Sequence, residues 1–124
     1  MDDVTTAIDW SIGERTVRWK GPAGVIEKVY DEPPQSACYV PDPPSVVVVE
    51  FMERAPAISN AVVFDLDGSE RLRLKPPDLP DPVGFDQVFV SRAGVVAVFV
   101  TRRADYQGEP DLLSGELRNV HEWR

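Results

Sequence analysis

Apolar positions in this chain fall in short runs rich in β-branched residues, punctuated along the chain by Pro and Gly. No run is long enough, or periodic enough at helical spacing, to specify a long amphipathic helix, whereas alternation and valine-rich stretches suit a pleated, half-buried surface. Three turns share one signature: Gly21-Pro22-Ala23-Gly24, Asp65-Leu66-Asp67-Gly68 and Ser91-Arg92-Ala93-Gly94. Each has a glycine at the fourth position, and each first or second position is a type I turn former. With that glycine left-handed, each turn closes a hairpin through a G1 bulge. The register then predicted sets Val17 opposite Val29, Val62 opposite Leu72, Val90 opposite Val96, and Val88 opposite Val98.

The remaining segments follow from the same patterning. Residues 7–12 form a short strand ending at Gly13. Residues 45–54 form a strand whose Val46-Val47-Val48-Val49 run is apolar on both faces, which predicts a central, buried position. Residues 32–44 contain five prolines and residues 76–82 four, and both read as connectors. Residues 106–124 are ambiguous. Leu113, Leu117 and Val120 have helical spacing, but residues 111–115 look like a turn, so a hairpin with residues 116–123 as its second strand is preferred and 112–124 stays open between strand and helix. Residues 62–102 have the length and strand count of one propeller blade, and the chain is too short for a complete propeller. The expectation is a single all-β domain over residues 1–124. Its antiparallel hairpins or meander would form a small sandwich or barrel-like fold, with at most a short C-terminal helix.

Composition narrows the classes of function. The 124 residues carry 19 valines, 12 prolines and one cysteine, so no intrachain disulfide or cysteine-based zinc cluster can form. Net charge is -8, which disfavours a general nucleic-acid binder and a polybasic membrane anchor. The longest apolar run, residues 95–100, is far shorter than a spanning helix, and the acidic N-terminus lacks a secretory pattern, so a cytoplasmic protein is expected.

One motif has the look of chemistry. Ala61-Val62-Val63-Phe64-Asp65-Leu66-Asp67-Gly68-Ser69 resembles the first motif of the haloacid-dehalogenase phosphatases, a hydrophobic strand followed by Asp-x-Asp-Gly-Thr. The resemblance implies Asp65 as nucleophile, Asp67 as general acid/base and magnesium between them. It covers residues 61–69 alone, with Ser69 in the place of the threonine. Arg71-Leu72-Arg73-Leu74 alternates as a returning strand, not as the start of an α/β crossover. Asp65 and Asp67 are therefore read as turn residues, and the third acid and distant glutamate of a calcium loop are missing as well. His121 has no second histidine or cysteine partner for zinc. Cys38, without a neighbouring base, reads as a small buried hydrophobe. Trp10, Trp19 and Trp123 favour core positions over an exposed interface.

These readings leave a non-enzymatic protein-binding module as the leading expectation, with no cofactor and no metal. Its sharper form is an inhibitor or immunity-type protein for a basic partner, met by the loop acids Asp78, Asp81, Asp86, Asp105, Glu109 and Asp111. The alternatives are a small metal-dependent hydrolase centred on Asp65 and Asp67, and a structural β subunit that oligomerises through an edge strand.

Overall fold

The computed structural model describes residues 8–52 and 59–123, and these contain strands and turns without a helix. Ten strands follow one another: β1 (Thr16–Gly21), β2 (Gly24–Val29), β3 (Ser36–Val40), β4 (Ser45–Val49), β5 (Ala61–Phe64), β6 (Glu70–Arg73), β7 (Pro82–Ser91), β8 (Gly94–Thr101), β9 (Asp105–Pro110) and β10 (Leu117–Glu122). They make a β1-β2 hairpin, a central sheet in the order β3-β4-β5-β6, and a C-terminal sheet in the order β10-β9-β8-β7. All pairings are antiparallel. The all-β expectation holds, and the arrangement is sandwich-like.

The valine run explains the layering. Successive side chains of a strand point to opposite faces, so a strand apolar at every position needs cover on both. On β4 and β5 the odd positions Val47, Val49, Ala61 and Val63 face the C-terminal sheet, where they pack with Phe85, Val88, Ala97 and Phe99. The even positions Val46, Val48, Val62 and Phe64 face the β1-β2 hairpin, where they meet Val17 and Trp19. β4 is buried along its whole length and lies inside its sheet, as its sequence predicts, although it ends at Val49. The Phe85 and Phe99 rings meet edge to face, 5.0 Å between centroids, at the middle of the main core.

The hairpin layer sits close to the 65–68 turn. A Cβ on Gly21 would lie 2.7 Å from the Leu66 carbonyl oxygen, and one on Gly68 would lie 2.9 Å from Ile26 Cγ2. Gly68 also has φ 94°, so no other residue suits both the turn and the contact. Trp19 Nε1 donates to the same Leu66 carbonyl at 2.9 Å, and Lys28 Nζ lies 4.8 Å from the centroid of the Phe64 ring.

The three turns occur where the sequence places them, and their glycines have positive φ, but the registers differ from those expected. Gly21 pairs with Gly24 and Ser91 with Gly94, leaving two-residue loops. Val17 therefore faces Lys28, Val88 faces Ala97 and Val90 faces Val95. In the second hairpin Asp65 N donates to the Ser69 carbonyl, as the turn requires, but a bulge opposite the Val63–Phe64 step sets Val62 opposite Arg73 and Val63 opposite Leu72. The residue gained there is Arg71, which the bulge directs toward the turn. A second bulge at Asp86 keeps Phe85 opposite Phe99.

Four further segments can be compared with their sequence readings. β3 lies inside residues 32–44, which proline content marks as a connector, because residues 36–40 between the prolines remain free to pair with β4. Residues 62–102 do not form one blade, since β5-β6 and β7-β8 belong to different sheets. Of residues 7–12, Asp9 forms an isolated bridge to Arg18, and Ala7 lies outside the described residues, as does Arg54. The C-terminal segment resolves as the preferred hairpin, β9 and β10 around a turn in which Gly115 N donates to the Asp111 carbonyl.

Candidate functional site

The phosphatase-like aspartates are tied into their own turn. Asp67 Oδ1 accepts the Ser69 hydroxyl at 2.6 Å and the Ser69 amide at 3.0 Å, and these bonds hold its carboxyl below the ordinary aspartate range. Asp65 Oδ1 accepts Arg71 Nε at 2.7 Å. The same Arg71 guanidinium reaches Ser45 Oγ, the Pro44 carbonyl and the Leu112 carbonyl, so with Asp65 it ties three chain segments together. An arginine on one carboxylate and a serine across both leaves the pair organised for scaffolding, not for holding a cation between them. Among the described residues no three His, Cys, Asp or Glu side chains gather where they could hold a metal ion.

The six loop acids are spread along the C-terminal sheet and its connections. β9 runs from Asp105 to Pro110, which separates Asp105 from Asp111 by about 20 Å at the usual strand rise. Asp81 lies near the Asp105 end and pairs with Arg103 at 2.9 Å. Asp86, at the β7 bulge, accepts Gln35 Nε2 at 2.9 Å, and Glu109 accepts Asn119 Nδ2 at 2.9 Å. Asp78 and Asp105 are exposed.

Asp111 caps its turn. Its Oδ1 accepts the Leu113 and Ser114 amides, while Oδ2 pairs with Arg118 at 2.7 Å. The Leu113 amide, then the Ser114 amide, hold its carboxyl below the ordinary value of 3.8. A depressed folded value means the cap contributes fully above pH 3.8 and is lost as pH falls through the lower folded value. A carbon-detected NMR titration is expected to place the Asp111 midpoint below 3.8, and a midpoint at or above it would contradict the capping geometry.

The other candidates have plain structural places. Cys38 packs against the main core, and burial pushes its thiol up to about 12, which suits an inert side chain. His121 is exposed, with Nδ1 2.8 Å from the Asn119 carbonyl oxygen. Trp19 is buried, Trp10 packs partly buried on the hairpin core, and Trp123 is exposed.

What patterning alone does not reveal is the edge of β2, which is free among the described residues. Arg18 exchanges both backbone hydrogen bonds with Asp9, so its groups point away from β2. Glu27, opposite Arg18, therefore directs its own N–H and C=O outward, and alternation does the same for Val25 and Val29. Tyr30 N donates to the Arg15 carbonyl, in phase with this reading. Val25 and Val29 are 71% and 70% exposed. Among the described residues, the edges of the two four-stranded sheets are closed or broken. β7 and β3 meet through Val88 N on Ser36 Oγ, and Asn60 caps Phe85. β6 is bulged and abuts the C-terminal turn through Lys75 N and the Gly115 carbonyl. β10 is interrupted at Asn119, whose φ is 54°. Among the described residues, no helix is long and apolar enough to cross a membrane. No protein family, curated protein or solved structure compared with this chain matches it.

Proposed function

We propose that this chain is a non-enzymatic protein-binding module for a basic protein, of the inhibitor or immunity kind. The observation that carries the reading is the β2 edge: the side of a regular strand away from β1, unpaired among the described residues, with Val25 and Val29 exposed beside it. A soluble domain gains nothing in stability from such an edge, and unpaired strand edges are what partner strands recognise. The acidic surplus supplies the choice of partner, because a net charge of -8 accelerates encounter with a basic protein. Exposed acids such as Asp78 and Asp105 contribute to that field, while Asp81, Asp86, Glu109 and Asp111 also hold local structure. The test is affinity capture from the native host with the wild-type chain and with a Val25→Lys/Val29→Lys double variant. A stoichiometric basic protein held by the wild type and lost by the variant is expected. Recovery of no such protein, or equal recovery by both, overturns the proposal.

A further inference from the structure

We infer that the β2 edge accepts an extended segment of the basic partner as an added strand, with a Lys or Arg of that segment opposite Glu27 and small or β-branched residues on either side. The inference rests on the protein-binding reading and specifies its mode. Val25, Glu27 and Val29 direct three N–H and three C=O groups outward at two-residue spacing, about 6.8 Å, which matches the repeat of an incoming strand. Their side chains share the solvent face of the hairpin, so the edge reads apolar, acidic, apolar. Glu27 Oε2 takes the Arg18 guanidinium at 2.9 Å from the β1 side. Its Oε1 has no partner among the described residues and lies on the carboxylate a strand joining from the other side would meet. A cation there completes a row of cation, carboxylate and cation across three strands.

Charge selects this occupant over a second copy. Twofold antiparallel pairing of β2 with itself sets Val25 opposite Val29, but it also sets Glu27 against Glu27 and joins two chains of net charge -8. A basic strand keeps the apolar contacts and replaces the repulsion with an ion pair.

The probe is a capped synthetic peptide of alternating Val and Lys, with a Val and Glu peptide as control, titrated into the full-length isotope-labelled chain. Amide hydrogen exchange at Val25, Glu27 and Val29 is expected to slow at least tenfold with the Lys peptide and not with the Glu peptide. Glu27→Lys, an exposed change on a hairpin held by its opposite face, is expected to weaken binding about tenfold. Equal binding of both peptides overturns the charge assignment, and protection confined to β6 or β10 overturns the edge. Concentration-dependent protection of β2 without peptide assigns the edge to a second copy and also overturns the inference. If the captured partner depends on Val25 and Val29 while β2 amides stay unprotected in its complex, strand addition fails and the protein-binding reading survives.

Discussion

Asn60→Ala is expected to destabilise the chain by about 3–5 kcal/mol, because three polar backbone groups lose their partner at once in a dry place. Asn60 is fully buried. Its Nδ2 donates to the Glu50 and Phe85 carbonyls, each at 2.8 Å, and its Oδ1 accepts the Phe85 amide at 2.8 Å. The side chain thus acts as one rung between the start of β5 and the middle of β7, where the two sheets approach without a shared ladder. Truncation leaves the Phe85 N–H and C=O orphaned beside the aromatic pair. Urea unfolding followed by far-ultraviolet circular dichroism measures the loss, and a change below about 1 kcal/mol, the net worth of one ordinary hydrogen bond, would refute the clasp.

A comparable loss, about 3–5 kcal/mol, is expected for Trp19→Ala, by the usual cost of emptying a large aromatic site. Trp19 is 3% exposed, packs 5.9 Å from the Phe64 ring between centroids, and holds the Leu66 carbonyl. It is the main plug between the hairpin layer and the central sheet. Hydrogen exchange of the β1 and β2 amides should accelerate more than that of β8, since the hairpin rests on this contact and β8 does not. Trp19→Phe should restore most of the packing but not the indole hydrogen bond. Equal acceleration in all three layers would show that Trp19 stabilises the molecule without anchoring the hairpin.

Fold class was legible because every strong local signal agrees with it. The valine run of β4 announces two covered faces, and the turn glycines announce three hairpins. Register was not legible to the residue. It depends on whether a turn closes with two or three loop residues, and on bulges whose cause is distant: Arg71 leaves the β6 ladder position and reaches Asp65, Ser45, Pro44 and Leu112. β3 was hidden because prolines on both sides of a five-residue strand outweigh its modest apolar pattern. For the candidate site, sequence correctly places Asp65 and Asp67 in a turn, where Ser69 lies four residues from the first and two from the second. It does not disclose the β2 edge, because openness depends on which neighbour takes the backbone groups of Arg18. Asn60 is likewise silent in sequence, as its partner Phe85 is 25 residues away.

The strand order has a kinetic corollary. In both four-stranded sheets each strand pairs with the one just before or after it along the chain, with no crossover. Every ladder of these sheets therefore joins neighbours in sequence, which keeps loop-closure cost low and favours rapid assembly for a β protein. Both sheets can grow in the order of synthesis, the C-terminal one adding β10 last. The long-range steps that remain are docking steps: closing the sandwich through Asn60 and seating the early hairpin through Trp19.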